Sequence, residues 1–316
     1  MNGTRTESGM IYDFRLTGTL TGTWGKRIAA VCLVLTAAIA LPAQDGRTLP
    51  DAVKFKTLVN FDGTNGLNPQ APLVQGADGS LYGTAYSIYT GSGGNIFKMT
   101  PEGSLTVLYN FCAQPNCADG SIPNGLVLGR DGSLYGTTEV GGVSTNPGCG
   151  GCGTFFKISH SGKLTTIYNF CALANCTDGA YPNGLVLGAD GNFYGTSEGG
   201  GSTGGYGTIF RITPGGVLTT LYSFCAETNC TDGGVPLDSP IQATDGNLYG
   251  TTQLSGANGG GTIFKLTPKG MLATLYSFCA QPNCTDGSFP QQGPLVQGAN
   301  GNFYGTTRGG GANPNP

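Results

Sequence analysis

The stretch Asp190-Gly191-Asn192-Phe193-Tyr194-Gly195-Thr196 joins a turn dipeptide to a short aromatic segment. The chain contains four near-copies of this stretch, at 78–84, 131–137, 245–251 and 300–306. The tyrosines of successive copies lie 53, 59, 55 and 55 residues apart. A regular period of this size predicts a repeat architecture, in which each repeat is one supersecondary unit.

Each repeat also contains other short segments with the pattern of β-strands. Around Asp190, an apolar segment at 184–188 precedes the turn, and two further strand-like segments follow at 207–213 and 218–224. Asp-Gly between two apolar runs predicts a hairpin with a type I′ turn, in which both central residues have positive φ. No segment after the N-terminal 43 residues has the apolar period of a helix.

Four antiparallel strands in about 54 residues are typical of one blade of a β-propeller. We therefore predict an all-β fold, with a propeller of about five four-stranded blades over residues 53–311. The fifth repeat lacks a copy of the Gly-Thr-Ile-Phe-Lys strand, so its blade is expected to be incomplete. The strand from Val53 to Phe61 is the candidate that would close this blade. Truncation of a longer parent, with 312–316 as a cut tail, also accounts for the missing strand.

The composition excludes several classes of protein. Glycine supplies 57 of the 316 residues, but regularly spaced aromatic and aliphatic residues argue against a low-complexity chain. The formal net charge is −3, and no cluster of Lys and Arg is present that could neutralise several phosphates. Nucleic acid is therefore not an expected partner.

The N-terminus has the pattern of a secretory signal peptide. Lys26 and Arg27 precede an apolar run at 28–41, and Ala43 supplies a small residue for cleavage. The run is shorter than the about 20 apolar residues that span a bilayer. We assign 1–43 to targeting and 44–52 to a linker, and expect a secreted or cell-surface monomer without a membrane span in the mature chain. An uncleaved anchor is the alternative.

Ten of the eleven cysteines form closely spaced pairs, whereas Cys32 lies inside the apolar run. An even set at regular spacing in an exported chain predicts disulfides. The predicted pairs are Cys112–Cys117, Cys149–Cys152, Cys171–Cys176, Cys225–Cys230 and Cys279–Cys284. Half of a zinc site is the alternative for Cys-x4-Cys, and a redox motif is the alternative for Cys-Gly-Gly-Cys. Successive Cys-x4-Cys pairs belong to different blades, which disfavours zinc.

An aspartate follows each Cys-x4-Cys pair by two residues: Asp119, Asp178, Asp232 and Asp286. A side chain that organises the turn is one interpretation, and a calcium ligand is the other. One carboxylate in each loop makes a poor calcium site. The sequence therefore predicts neither a metal ion nor a cofactor.

Three motifs recur in fixed order and carry a family resemblance: Gly-Thr-Ile-Phe-Arg-Ile-Thr-Pro at 207–214, Leu-Thr-Thr-Leu-Tyr-Ser-Phe at 218–224, and the stretch at 190–196. In these motifs the chain resembles the Gloeo_Verruco (GloVer) tandem repeat over residues 54–311. The resemblance implies an exported bacterial surface protein, often followed by a C-terminal sorting anchor. Together with the signal peptide, it leads us to expect a Gram-negative-type bacterium. It implies no catalytic residues.

Residues that recur in every repeat are interpreted as scaffold, because a single site requires asymmetry. The one histidine, His160, lies in a turn and supports no Ser-His-Asp arrangement. One position, the fifth residue counted from each repeated tyrosine, differs in most repeats. We predict that its occupants form an asymmetric ligand-binding ring on one face; unconstrained surface is the alternative. These residues are Tyr86, Glu139, Glu198, Gln253 and Arg308.

The leading hypothesis is a non-catalytic binding or interaction scaffold for a glycan or protein ligand. The second hypothesis is a polysaccharide lyase or hydrolase that uses Glu139 and Glu198. It requires both side chains to point into one pocket with their carboxyl groups within about 5–10 Å, and it fails if they point apart to solvent. The third is a structural spacer in a larger surface protein, which an open ring would favour.

Overall fold

The structure is a computed structural model that describes residues 10–15, 54–86, 93–144, 146, 148–291 and 293–312. These residues form an N-terminal unit, Met10–Asn60, and a repeat unit that begins at Phe61. The apolar run at 28–41, the linker at 44–52 and tail residues 313–316 lie outside the described residues. No helix in the described part of the chain has the length and apolar character needed to cross a membrane.

In its described residues, the N-terminal unit is a two-stranded antiparallel sheet. Strand β1 (Met10–Arg15) pairs with β2 (Lys54–Asn60), in a register that joins Met10 to Asn60. The prediction that the strand from Val53 to Phe61 closes the final blade is therefore wrong. Residues 10–15 form the strand that pairs with β2, although the sequence assigns them to the targeting segment 1–43.

The repeat unit begins with four antiparallel sheets of four consecutive strands, which we number blades 1 to 4. Blade 1 contains β3 (Val74–Gln75), β4 (Leu81–Ala85), β5 (Asn95–Met99) and β6 (Leu105–Asn110). Blade 2 contains β7 (Ser121–Leu128), β8 (Leu134–Val140), β9 (Thr154–Ile158) and β10 (Leu164–Asn169). Blade 3 contains β11 (Ala180–Leu187), β12 (Phe193–Gly199), β13 (Thr208–Ile212) and β14 (Leu218–Ser223). Blade 4 contains β15 (Ile241–Gln242), β16 (Leu248–Thr252), β17 (Thr262–Leu266) and β18 (Leu272–Ser277).

Blade 5 is incomplete, as the sequence predicts. It consists of two short pairs, in which β19 (Ser288–Pro290) joins β22 (Thr307–Gly309) and β20 (Val296–Gln297) joins β21 (Phe303–Tyr304). Without a third strand, Tyr304 is 55% exposed, whereas its counterparts Tyr82, Tyr135, Tyr194 and Tyr249 are buried. The all-β fold of about five propeller blades is confirmed.

The Asp-Gly hairpin turn differs from the predicted type I′ turn. Gly191 has a φ of 84°, but Asp190 does not have a positive φ. The Gly191 N–H donates to the Gly188 carbonyl at 2.9 Å, and the Gly188 N–H donates to the Asn192 carbonyl at 2.8 Å. This is a three-residue hairpin loop in which one left-handed glycine is enough. The Asp190 side chain instead accepts hydrogen bonds from the Asn192 N–H and the Tyr194 hydroxyl.

Phenylalanine pairs join successive blades in the core. The phenylalanine that follows the fourth strand of one blade packs against the third-strand phenylalanine of the next, with ring centroids 5.1–5.4 Å apart. All six rings are at most 2% exposed. The pairs are Phe111–Phe156, Phe170–Phe210 and Phe224–Phe264.

The glycine of each Tyr-Gly-Thr segment makes room for the same third-strand ring. A Cβ atom at Gly195 would lie only 2.5 Å from Cζ of Phe210 and 2.9 Å from Cδ2 of Leu185. Side chains larger than hydrogen would force the Phe210 ring out of the core. The repeated glycine is therefore scaffold, in agreement with the interpretation of repeated residues.

Four of the cysteine pairs form short loops after the fourth strands, and the fifth pair lies in the loop before β9. The structure contains all five predicted disulfides. In the Cys171–Cys176 loop, the Asp178 carboxylate accepts hydrogen bonds from the Tyr168 hydroxyl and from the backbone N–H groups of Ala172 and Leu173, at 2.7–3.1 Å. The equivalent bonds recur in the other three loops. These contacts match the turn-organising interpretation, because the oxygens are already engaged.

Candidate ligand-binding site

A cavity of about 900 Å³ is lined by residues of all five blades. The polar side chains at its wall include Tyr86, Glu139, Glu198, Asp238 and Gln291. Cavities of roughly 300–1,000 Å³ are the usual size for small-molecule sites. The cavity is therefore large enough for a ligand of several rings.

The strand geometry explains why the variable position reaches this cavity. Glu139 lies near the end of β8, Glu198 lies near the end of β12, and Tyr86 directly follows β4. Each residue thus stands at the same end of the second strand of its blade. Because equivalent strands are arranged around the cavity, side chains at this position converge on it.

Three of the five predicted site residues line the cavity directly: Tyr86, Glu139 and Glu198. Gln253 and Arg308 do not line it, but both contact Gln291, which does. The side-chain amides of Gln253 and Gln291 lie 2.6 Å apart. With its oxygen turned toward Arg308, Gln291 accepts hydrogen bonds from Nη1 and Nε of the guanidinium at 3.1 and 3.2 Å. Gln253 and Arg308 thus contact a side chain of the cavity wall without lining the cavity themselves.

Hydrogen bonds between blades fix the cavity wall. The Thr137 hydroxyl donates to the Asn183 carbonyl at 2.6 Å, and the Thr196 hydroxyl donates to the Asp238 carbonyl at 2.7 Å. The Asn183 side-chain amide continues the network to the Pro236 carbonyl at 2.8 Å. The threonine in the Tyr-Gly-Thr segments of blades 2 and 3 thus positions the wall residue that the next blade contributes.

Asp238 is a wall residue that the sequence analysis did not identify. Its Oδ1 atom accepts a hydrogen bond from the Gly293 N–H at 3.0 Å, whereas Oδ2 is buried and has no hydrogen-bond partner among the described residues. The Thr137 and Thr196 contacts show that Asp238 occupies the position of Asn183 in the preceding blade. The sequence carries a signal of this change from an amide to a carboxyl group: Pro-Asn-Gly at 123–125 and 182–184 corresponds to Pro-Leu-Asp-Ser at 236–239.

The cavity wall carries three carboxyl groups, which makes it acidic. Burial, together with the nearby charge of Glu198, raises the pKa of Glu139. Burial also raises the pKa of Asp238, although the Gly293 N–H acts in the opposite direction. Glu139 and Asp238 therefore hold their protons to a higher pH than ordinary carboxyl groups. Such a wall favours hydrogen-bond donors on a ligand.

The raised pKa of Glu139 makes stability depend on pH. Folded Glu139 binds a proton more tightly than unfolded Glu139, so stability falls as pH rises from the ordinary pKa through the folded pKa. Glu139→Gln removes the buried charge. We expect the variant to be more stable than the wild type at pH 7 and to lose this advantage near pH 4, in urea unfolding followed by circular dichroism.

The exposed Glu227 provides the matched control, because Glu227→Gln makes the same chemical change away from the cavity. A stability gain in Glu139→Gln that is the same at both pH values, or a gain of equal size in Glu227→Gln, would contradict the assignment.

The repeated turn carboxylates are engaged with the scaffold. Asp78 accepts hydrogen bonds from Lys98 Nζ at 2.8 Å and from the Tyr82 hydroxyl at 3.0 Å. The same trio recurs in blade 2 and blade 4. His160 packs against Tyr82, with ring centroids 5.1 Å apart. Neither the residues of these trios nor His160 belong to the cavity wall.

The fold and cavity define this chain as a β-propeller protein with an acidic cavity shared by its blades. Residues 47–148 and 142–315 match the model of the Gloeobacter/Verrucomicrobia repeat. The chain belongs to this repeat family, and the resemblance seen in the sequence is confirmed. None of the curated proteins matches it.

Several solved structures have a similar fold. Streptogramin B lyase is 21% identical with a TM-score of 0.47, over 74% of this chain and 60% of that one. The putative glucose dehydrogenase of Thermus thermophilus is 15% identical with a TM-score of 0.45, over 80% and 82% of the two chains. A gluconolactonase of Xanthomonas campestris is 16% identical with a TM-score of 0.44, over 70% and 64%.

The chain thus spans less than two thirds of the length of streptogramin B lyase and of the Xanthomonas gluconolactonase. At these identities and TM-scores, the similarity carries no argument about function.

Proposed function

We propose that this protein is an extracellular binding protein that holds a short glycan in the cavity without chemically changing it. One observation carries the proposal: residues of the variable position converge on a cavity, whereas the repeated Asp, Tyr and Lys residues bind one another. A concave site of about 900 Å³ suits an oligosaccharide better than the flat surface of a folded protein.

The chemistry of the wall supports a glycan. Glu139, Glu198 and Asp238 offer acceptors for sugar hydroxyl groups, Gln291 and Asn124 offer amides, and Tyr86 offers an aromatic ring. Tyr86 is held by a hydrogen bond from Gln70 Nε2 to its hydroxyl at 3.1 Å. A ligand rich in hydroxyl or amino groups can satisfy these acceptors.

Disulfides and the signal-like N-terminus support an extracellular location. Five disulfides would persist only in an oxidising compartment. In that compartment we expect the protein to act as a monomer, since the cavity is formed within one chain.

A glycan array followed by titration calorimetry tests the binding function. We expect wild type to bind a short oligosaccharide, and Glu139→Gln or Glu198→Gln to weaken binding by about tenfold to a hundredfold, the usual contribution of a hydrogen bond to a charged group. The exposed variant Glu227→Gln should bind as the wild type does. Unchanged affinity in both cavity variants, or binding only to proteins, would contradict the proposal.

A second candidate function is hydrolysis or lysis of a polysaccharide. Glu139 and Glu198 line one cavity, and burial, together with the Glu198 charge, raises the pKa of Glu139. A general acid that works beside a charged carboxylate needs such a raised pKa. Chromatography of array-positive oligosaccharides after incubation with the protein separates the two functions. Shortened products that disappear with Glu139→Gln would support the enzyme and overturn the non-catalytic proposal.

A further inference from the structure

Two cysteine pairs lie against each other in blade 2. Cys149 and Cys152 belong to the loop between β8 and β9, and Cys171 and Cys176 belong to the loop that follows β10. The Sγ atoms of Cys149, Cys152 and Cys171 all lie within 4.8 Å of one another. Cys176 is bonded to Cys171, so its sulfur atom lies one S–S bond away from this group.

The surroundings of this cluster are shielded and offer a hydrogen-bond donor to sulfur. Cys152 and Cys171 are each only 1% exposed, and Cys149 and Cys176 are partly buried against the same core. The Asn146 side-chain amide lies 3.4 Å from Sγ of Cys171 and 3.2 Å from Sγ of Cys176. An amide in this position would stabilise thiolate charge as well as sulfur in a disulfide.

We propose that Cys149, Cys152, Cys171 and Cys176 form a tetrahedral Zn²⁺ site when their disulfides are reduced. Zinc binds thiolates at about 2.3 Å, which places neighbouring sulfur atoms of a tetrahedron about 3.8 Å apart. Reduction of the two S–S bonds frees the sulfur atoms of each pair to move apart to this value, and Cys149, Cys152 and Cys171 already lie within 4.8 Å of one another. Four soft thiolates select zinc over calcium or magnesium, whose preferred ligands are oxygen atoms.

The cluster distinguishes one Cys-x4-Cys loop from the others. Spacing in the sequence disfavours zinc, because successive Cys-x4-Cys pairs belong to different blades. The spacing does not reveal that Cys-Gly-Gly-Cys lies close to the Cys-x4-Cys loop of its own blade. Within the described part of the chain, no other cysteine pair takes part in a group of three candidate metal ligands. The loops with Cys225 and Cys279 therefore serve as internal controls.

The metal-bound and disulfide forms exclude each other, because they use the same sulfur atoms. Reduction of both disulfides takes four electrons and four protons, which two equivalents of a phosphine reductant supply with water while becoming phosphine oxide. Binding of Zn²⁺ to the four thiols then releases four protons. Oxidation back to two disulfides by an external disulfide frees the metal.

Metal titration and alkylation of the full chain test this site. The protein is reduced with a phosphine, freed of reductant without oxygen, and titrated with Co²⁺ and then Zn²⁺. We expect one equivalent of Co²⁺ with the visible absorption of tetrahedral thiolate coordination, and its displacement by Zn²⁺. Zinc should also slow alkylation of the four cluster cysteines, mapped by mass spectrometry, but not of Cys225, Cys230, Cys279 or Cys284.

Variants make the test specific. The double variant Cys149→Ser/Cys152→Ser should lose the cobalt spectrum, whereas Cys225→Ser/Cys230→Ser should retain it. Asn146→Ala should weaken binding by about tenfold to a hundredfold, the usual effect of removing an outer partner of a metal ligand. Circular dichroism confirms that each reduced protein is folded. A folded wild type that takes up no metal, or zinc protection shared equally by all ten cysteines, would overturn the proposal.

Discussion

Phe224→Ala is expected to destabilise the protein by about 3–5 kcal/mol, the usual cost of truncating a fully buried phenylalanine. Phe224 is 0% exposed and follows the last strand of blade 3. Its ring lies 5.4 Å from that of Phe264 in blade 4, which is also fully buried. Truncation leaves a cavity between two blades that the surrounding sheets cannot fill, because their backbones are fixed by hydrogen bonds.

Phe278 offers a matched control for this prediction. It holds the same position after blade 4, but it is only partly buried, since blade 5 has no third strand to cover it. We expect Phe278→Ala to cost about 1 kcal/mol, in the range of a partly exposed substitution. Urea unfolding followed by far-ultraviolet circular dichroism measures both values. An equal loss of unfolding free energy in the two variants would contradict the claim that Phe224 stabilises the protein by packing between blades.

Asp178→Ala is expected to destabilise the protein by about 2–4 kcal/mol, because three hydrogen-bond donors lose their acceptor. The Asp178 side chain is fully buried and accepts hydrogen bonds from one hydroxyl and two backbone N–H groups. Each buried donor left without an acceptor costs about 1–3 kcal/mol, and water entering the loop recovers part of this loss. Burial, together with the hydrogen bond to Asp178, raises the pKa of Tyr168, as expected for a hydroxyl held against a carboxylate.

Asp286→Ala tests whether burial sets the size of this effect. Asp286 accepts the equivalent hydrogen bonds, from Tyr276, Ala280 and Gln281, but its loop is exposed to water. Water can therefore replace the carboxylate, and we expect Asp286→Ala to lose clearly less stability than Asp178→Ala. Thermal unfolding at constant pH compares the variants. A loss for Asp286→Ala as large as that for Asp178→Ala would refute the burial argument.

The propeller could be predicted from the sequence because the determinants of a blade are local. The Asp-Gly turn, the Tyr-Gly-Thr segment and the Gly-Thr-Ile-Phe-Lys strand recur in fixed order, so one interpretation applies to successive repeats. The turn type was wrong because the three-residue loop needs positive φ only at Gly191, with Asp190 serving as an acceptor. The partner of β2 was also wrong, since pairing depends on a distant segment that no local pattern indicates.

Part of the candidate site could be predicted because it breaks the repeat. Glu139 and Glu198 stand out as changes at one position of an otherwise constant frame, and both line the cavity. Asp238 and Gln291 lie in irregular loops between strands, where the blades have different loop lengths. Their positions depend on contacts with the neighbouring blades, such as Thr196 with Asp238, which spacing along the chain does not encode.

The short distance between Cys-Gly-Gly-Cys and one Cys-x4-Cys loop also depends on contacts that spacing along the chain does not encode. The two pairs are separated by β9 and β10, and the hairpin formed by these strands returns Cys171 to the neighbourhood of Cys152. The antiparallel register of that hairpin pairs Thr154 with Asn169 and so brings the two cysteine-containing loops to the same end of the blade.

The most direct test of the binding cavity is a crystal structure of the protein with an oligosaccharide selected from the array. We predict ligand density inside the cavity, with sugar hydroxyl groups within hydrogen-bond distance of Glu139, Glu198 and Asp238. Ligand density confined to the repeated turns, such as the one that contains Asp131, with the cavity free of sugar, would contradict the assignment of the variable residues as the site.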